Sequence, residues 1–327
     1  MTPRPQDLPP HLAAAAFHVR DARRVGLSYT ALRHARFAAP HRGVRLLLES
    51  DVERPRSLRA TVVRMAQNYR PLQRPQEAFS HTTALVLLGA PIRCVADLHL
   101  VIPLPSGAAR GRGVRGHTAS SSVPVVATPE GLVCVDAAVA LAQCGMLLPF
   151  RELVVALEHF ICPRGPAGVR RAAFTIEQLR AVSDRVSRAG ARRLRAAFTV
   201  ARVGAESRME SLTHLELARI GHDTLDLQGV VRDAQGRWIG RFDQVDHVRR
   251  RIIEYDGEQH RVDRRQYLKD LERLDRVRDA GYRVLRVHAE DLARAQRRRT
   301  RERICAFLEV EPRPLPARLA RYFAEDE

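Results

Sequence analysis

The sequence has a single lysine, Lys269, and few cysteines and aromatic residues. Its five cysteines form no C-x-x-C pair, which argues against a zinc ribbon and a disulfide framework. No uninterrupted apolar run approaches the length of about 18 residues that a membrane span needs. The N-terminal segment lacks the basic region, long apolar core and cleavage site of a secretion signal. We therefore expect a soluble, cytoplasmic protein with reduced thiols and no membrane partner.

Basic residues are abundant, because 55 Lys and Arg stand against 37 Asp and Glu and give a formal net charge of +18. Such a field attracts polyanions, of which nucleic acid is the commonest and an anionic membrane a less common example. The near-exclusive use of arginine indicates a GC-rich genome, but codon bias does not explain the excess of basic over acidic residues. We expect DNA as the partner, with a merely solvated basic surface as the alternative. RNA ranks last, since the 16 Phe and Tyr residues form no visible stacking motif.

A chain of 327 residues predicts two or three hydrophobic cores, and its mixture of helix and strand patterns predicts an α/β (α+β) fold. Five segments follow from the patterns: a winged-helix-like region at 1–57, a middle α+β domain at 58–165, a helical connector at 166–204, a last domain at 205–310 and a tail at 311–327.

The first segment has the order of a helix-turn-helix with a wing. LAAAAFHV predicts one helix, Ser28 is the predicted N-cap of a second helix, and RGVRLLL predicts a strand. The second helix would present Arg33 and Arg36 to a DNA duplex. The alternative is a small helical subdomain whose arginines are only solvated.

The middle of the chain predicts helices at LRATVVRMAQNY and EAFSHTTALVLLG and a strand at DLHLVIPLP. The Gly-, Ser- and Arg-rich run that follows, SGAARGRGVRGHTASSS, has no apolar period and predicts an exposed loop or flexible arm. Its arginines contact phosphates or solvent in this interpretation. A strand at SVPVVAT, helices at VDAAVALAQ and FRELVVALEHFI, and an Arg-rich helical stretch interrupted by Gly190 complete the region.

In the last domain, ESRMESLTHLELAR predicts an amphipathic helix with Glu210 at the edge of its apolar stripe. The period then changes to two, and TLDLQGVVRD, a DAQG turn and RWIGRFDQV predict a hairpin. RRRIIEYDG adds a third strand. We therefore expect a small sheet packed on a helix.

Carboxylates collect at one end of this predicted sheet. Asp243 and Glu254 lie late in neighbouring strands, and Glu254 and Asp256 share a face because side chains two apart on a strand point the same way. Like charges at this separation need compensation, and oxygen ligands suit Mg²⁺ or Mn²⁺. A metal held there would favour phosphodiester hydrolysis. The alternative is an ordinary acidic turn at the end of a strand.

The ordered string Asp243, E-Y-D-G at 254–257, His260, Asp270, Arg273 and G-Y-R-V-L-R at 281–286 resembles an endonuclease-like domain related to very-short-patch-repair enzymes. That family is a branch of the PD-(D/E)XK restriction-endonuclease-like fold, and the resemblance covers most of residues 205–307. It implies a metal-dependent endonuclease whose presumed site contains Glu210, Asp243, Glu254, Asp256 and His260. Asp256 stands where many such nucleases place a catalytic lysine.

His260 is the expected proton-handling group in this interpretation, and a loop histidine that only caps or is solvated is the alternative. Arg273 and Arg286 are candidates for contacts with nucleic acid, although Asp270 and Arg273 have the spacing of an ordinary helical ion pair. A basic helix at ARAQRRRTRERICAFLEV either follows the DNA backbone or is simply solvated.

RGVRLLL and SHTTALVLLGAP give residues 11–160 a resemblance to proteins that join an AbiEi-antitoxin-like winged helix to such a nuclease-like domain. This resemblance implies DNA binding by analogy. The sequence thus predicts a metal-dependent DNA endonuclease with Asp243 and Glu254 as ligands of Mg²⁺ or Mn²⁺. A non-catalytic DNA-binding regulator of the antitoxin type is the alternative.

Overall fold

The computed structural model describes residues 8–48, 55–93, 97–165, 169, 174–186, 190–257 and 264–325, with only the backbone at 183, 185–186 and 264–271. The chain divides into two compact units, Met1–Cys144 and Gly145–Glu327. Both units combine helices with β-sheet, so the α+β fold is confirmed. The unit boundary falls inside the predicted 58–165 region. Among the described residues, no helix has the length and apolar character to cross a membrane.

The first unit begins with a small three-stranded sheet in the order β1-β3-β2. Its elements are α1 (Pro10–Ala13), β1 (Phe17–His18), α2 (Val19–Arg24), a 3₁₀ helix (Ala31–Arg33), β2 (Phe37–Ala38) and β3 (Val44–Leu47). Phe17 and Phe37 meet edge to face in its core, with ring centroids 5.9 Å apart. The strand expected at RGVRLLL is confirmed.

The two helices expected around this sheet are wrong in extent. The first ends at Ala13, and the second shrinks to the three residues Ala31–Arg33. The N-cap is Thr30 rather than the expected Ser28, although Oγ of Ser28 accepts a hydrogen bond from the N–H of Ala31 at 3.1 Å. The backbone then becomes extended at His34, and β2 pairs with β3, which buries Phe37. Burial of this ring overrides local helix propensity, so the expected recognition helix is not formed.

The rest of the first unit is built around a six-stranded sheet in the order β6-β7-β5-β4-β9-β8. Its elements are α3 (Leu58–Tyr69), a 3₁₀ helix (Arg70–Leu72), β4 (Ala78–Phe79), α4 (His81–Leu87), β5 (Leu98–Pro103), β6 (Arg110–Gly111), β7 (Val114–Ala119), β8 (Val125–Ala127), β9 (Val133–Val135) and α5 (Ala137–Cys144). Helix α3 has the predicted bounds, and Ser57 caps it by accepting from the N–H of Ala60.

Two expectations in this region are corrected. The predicted loop after residue 105 contains strands β6 and β7, and β7 pairs in parallel with β5. A Cβ atom on Gly116 would lie 2.3 Å from the backbone of Ala109, so glycine permits this close approach. The predicted helix from Glu77 begins only at His81, because Ala78 and Phe79 pair as β4.

The second unit contains a four-stranded sheet in the order β10-β11-β12-β13. Its elements are α6 (Phe150–Ile161), α7 (Ile176–Val186), α8 (Ala191–Val200), α9 (Arg208–Arg219), β10 (Asp226–Arg232), β11 (Trp238–Asp246), β12 (Arg251–Tyr255), α10 (Arg264–Asp279), β13 (Arg283–Val287), α11 (Arg297–Leu308) and α12 (Ala317–Ala324). The first two strand pairs are antiparallel, whereas β12 and β13 are parallel and are connected by α10. The expected hairpin, third strand and flanking helices are confirmed.

Helices α6 and α9 form the buried part of the second unit. Almost every residue of α6 and all of Ser211–Ala218 in α9 are buried. Glu152 on α6 and Arg208 on α9 form a buried ion pair at 2.5 Å. The segment expected to be a tail carries α12, whose Tyr322 ring stacks on Phe150 with centroids 5.4 Å apart.

Candidate metal centre

One row of polar side chains crosses the sheet of the second unit. Continuing the registers of the paired strands places Gln228, Asp243, Glu254 and Arg286 side by side on β10, β11, β12 and β13. Neighbours in such a row have Cβ atoms about 5 Å apart, which is within reach of direct interaction. The expected proximity of Asp243 and Glu254 therefore follows from the observed strand pairing.

Asp243 is the most perturbed group in this row. Its Oδ2 accepts a hydrogen bond from the backbone N–H of Tyr255 at 2.8 Å, and its Oδ1 lies 3.4 Å from Nε2 of Gln228. Removal from water and the nearby negative charges of Glu210 and Glu254 together raise the pKa of Asp243 to about 8, against these hydrogen bonds. A carboxyl group in this state is protonated near neutral pH unless a cation replaces the proton.

Glu210 reaches the same place from the first turn of α9. Ser207 caps that helix through its Oγ, which accepts from the N–H of Glu210 at 3.2 Å. The Oε2 of Glu210 accepts from the backbone N–H of Glu206 and from Nε2 of Gln228, each at 2.8 Å. Burial raises the pKa of Glu210, against these hydrogen bonds. The amide of Gln228 thus joins Glu210 to Asp243.

Glu254 and Asp256 each have an arginine partner. Arg273 of α10 pairs with Oε1 of Glu254 at 2.5 Å, and its guanidinium lies 4.4 Å from the centroid of the Phe242 ring. Arg286 pairs with Oδ2 of Asp256 at 3.0 Å. The two arginines expected to contact nucleic acid in this unit therefore neutralise expected site carboxylates.

The donor set fits an oxygen-preferring divalent cation such as Mg²⁺ or Mn²⁺. Asp243 and Glu210 share one amide, and Glu254 adjoins Asp243 in the row. The carboxylate oxygens of the second unit are further apart than in a formed metal site. Among the described residues, three ligand atoms lie within 4.8 Å of one another only in a histidine group of the first unit. Oε1 of Glu254 would have to leave Arg273 to bind the cation.

The other expected site residues are dispersed or outside the described residues. His260 lies outside them, and Asp270 lies on α10, where only the backbone is described. In the first unit, Arg33 is exposed on its 3₁₀ helix, whereas the Arg36 guanidinium packs over the Phe37 ring at 4.9 Å from the centroid.

Sequence reasoning missed Gln228 and the pair formed by Glu206 and Arg241. Gln228 adopts the left-handed backbone conformation with a φ of 54°, which is uncommon for a residue other than glycine. Arg241 forms a two-pronged ion pair with Glu206, at 2.5 and 3.0 Å, just before α9. This ion pair connects the segment before α9, which precedes Glu210, to strand β11.

Neither a scan against protein-family models nor a search of the curated proteins finds a match to this chain.

Proposed function

We propose that the second unit is a metal-dependent DNA endonuclease that hydrolyses phosphodiester bonds, with Asp243 and Glu254 as ligands of Mg²⁺ or Mn²⁺. The proposal is carried by the position of Asp243 beside the carboxylates of Glu210 and Glu254, where its pKa is raised to about 8. Strongly perturbed groups of this kind cluster at functional sites. Their arrangement is unfavourable in isolation and becomes favourable when a divalent cation replaces the proton.

The chain's own residues have distinct tasks in this proposal. Asp243 and Glu254 bind the cation, which supplies polarisation of the phosphodiester and an activated water. Glu210 adds negative charge, and Gln228 orients the Asp243 carboxylate by donating to it. Asp256 stands in place of the lysine of many nucleases, so His260 is our candidate for accepting the proton of the attacking water. This division of roles follows the endonuclease-like resemblance of residues 205–307.

DNA is the proposed substrate because the chain carries a formal net charge of +18. Helix α11 of the second unit displays part of this charge, with Arg298, Arg299 and Arg303 exposed. Arg298 and Arg303 also have acidic partners, so Arg299 is the clearest phosphate contact among them. Exposed arginines of this kind position a duplex without selecting its sequence.

The second candidate is a DNA-binding regulator that does not cut. The ion pairs of Glu254 with Arg273 and of Asp256 with Arg286 favour it, because two of the four carboxylates are already neutralised. A regulator of this kind keeps its DNA affinity in the presence of a chelator. Metal dependence therefore separates the two functions.

The test is nicking of supercoiled plasmid by the full chain in Mg²⁺, Mn²⁺ or EDTA. We expect cleavage in either metal and none in EDTA, with at least about a 100-fold loss of rate in Asp243→Ala and Glu254→Ala. Asp275→Ala is the matched control, since that aspartate is exposed on α10 and pairs with the exposed Arg278. Its rate should match the wild type.

Tight duplex binding in EDTA without nicking in either metal would support the regulator and overturn the nuclease proposal. Equal nicking by Asp243→Ala and the wild type would place the chemistry elsewhere.

A further inference from the structure

Three histidines of the first unit converge at one point. His81 is the first residue of α4, His99 lies on β5 and His117 lies on β7. One ring nitrogen from each lies within 4.8 Å of the other two. Nδ1 of His99 is 2.9 Å from Nε2 of His117, and the rings of His81 and His117 stack with centroids 3.8 Å apart.

The backbone places these rings by specific contacts. His81 has a φ of 51°, a left-handed conformation that is uncommon for a residue with a side chain. The side chain of Gln143 accepts a hydrogen bond from the His81 N–H at 3.0 Å, and Thr83 Oγ1 accepts one from the His99 N–H at 2.8 Å. Strained residues that the surroundings hold in place are concentrated at functional sites.

The three rings favour their neutral forms. Burial lowers the pKa of His81 to about 3 and of His99 to about 4, and it also lowers the pKa of His117. Nδ1 of His81 forms a hydrogen bond with Oγ of Ser80 at 2.9 Å. Nε2 of His81 has no hydrogen-bond partner among the described residues. Neutral imidazoles with an available nitrogen are the form that binds metals.

We propose that His81, His99 and His117 form a binding site for a divalent transition metal of the Zn²⁺ class, with one ring nitrogen from each histidine as a ligand. Imidazole suits zinc, copper, iron and nickel, whereas Mg²⁺ and Ca²⁺ prefer oxygen. Zinc–nitrogen bonds of about 2.0–2.1 Å in a tetrahedral site separate the nitrogens by about 3.4 Å. The 2.9 Å between the His99 and His117 nitrogens is shorter than this value and the 4.8 Å limit on the group is longer, so metal binding requires the rings to shift.

Three protein ligands leave one tetrahedral position open. Closed structural zinc sites use four protein ligands, so a three-histidine site resembles the catalytic type, in which water or another small ligand completes the coordination. Arg115 lowers the pKa of His99 and His117 and Asp97 raises that of His99, and these two charged residues pair with each other at 3.5 Å. This histidine site lies in the first unit and is independent of the nuclease site proposed for the second unit.

The experiment is a titration of the metal-free full chain with Co²⁺, followed by displacement with Zn²⁺, with bound metal also counted by elemental analysis. We expect one equivalent with the intense visible absorption of tetrahedral Co²⁺, and an affinity at least about 100-fold weaker in His117→Ala. His117 is the least buried of the three, and circular dichroism establishes that the variant folds. His99→Gln provides a second test if His117→Ala does not fold.

Two control variants should keep the signal. His247→Ala removes an exposed histidine of the second unit, and Asp243→Ala removes the carboxylate centre proposed above. Absence of tetrahedral Co²⁺ absorption in the wild type, or its persistence in both folded histidine variants, would overturn the proposal. In either case the three rings are a metal-free stacked cluster.

Discussion

The proton on Asp243 links the proposed metal centre to protein stability. In the folded chain its pKa is about 8, whereas its usual value is 3.8. The folded state therefore retains a proton that the unfolded state releases, and stability decreases as pH rises from about 4 to about 8. An asparagine at position 243 is neutral at every pH and nearly the same shape, so it does not cause this loss of stability.

We expect Asp243→Asn in EDTA to differ little from the wild type at pH 4 and to be more stable at pH 8. The difference should be a few kcal/mol at pH 8, because each unit of pKa difference between the folded and unfolded states is worth about 1.4 kcal/mol. Urea unfolding at several pH values measures it. Wild-type and variant stabilities that run parallel with pH would show that Asp243 has an ordinary pKa.

Gln228 is a positioning residue because its amide donates to both Glu210 and Asp243. We expect Gln228→Ala to decrease nicking by about 10–100-fold, the usual cost of removing a group that orients a metal ligand. The loss should be partly recovered at high Mn²⁺ concentration. Gln235→Ala, at the exposed hairpin turn, is the control. Equal nicking rates of the two variants would remove Gln228 from the site.

At the scale of elements, sequence prediction succeeded where local pattern and burial agree. Helix α3 has a capping serine and a regular apolar stripe, and β5 is a short apolar run bounded by breakers. The helix expected after Ser28 failed because β2 forms instead and buries Phe37. Strands β6 and β7 were missed since they lack apolar alternation and β7 contains Gly116, where the backbone of Ala109 approaches closely.

The candidate site was predictable in part. Asp243 and Glu254 were expected together, and their strands pair accordingly. Gln228 was missed because the register shifts at Val231 and Arg232, so counting outward from the turn pairs Gln228 with Arg241 rather than Asp243. The three histidines lie 18 residues apart on separate elements, and no short metal motif has that spacing.

Helix α12 packs against Phe150 of α6, and this contact can be tested by mutation. Phe150 is fully buried and contacts the rings of Tyr322 and Phe323. We expect Phe150→Ala to lower the free energy of unfolding of this unit by about 3–5 kcal/mol, through lost burial and the cavity left behind. Phe174→Ala, at a ring that is 37% exposed, should cost clearly less. Similar losses in denaturant unfolding would contradict the placement of α12.

At the scale of the whole molecule, the formal charge of +18 predicts binding to duplex DNA that depends strongly on salt. If about 6–10 phosphates are neutralised, affinity should fall by about 10³–10⁵-fold between about 50 and 200 mM salt. Fluorescence anisotropy in EDTA measures this slope, and Asp243→Ala should retain it. An affinity that is independent of salt would contradict electrostatic binding to phosphates.

The central claim is that carboxylates from α9, β11 and β12 act together on one cation. Electron paramagnetic resonance of free Mn²⁺ tests it directly, with the full chain in a His117→Ala background that removes the histidine centre. We predict one bound Mn²⁺ that is lost in Asp243→Asn and retained in Asp275→Asn. Equal Mn²⁺ binding by these two variants, or none in the parent, would contradict the account.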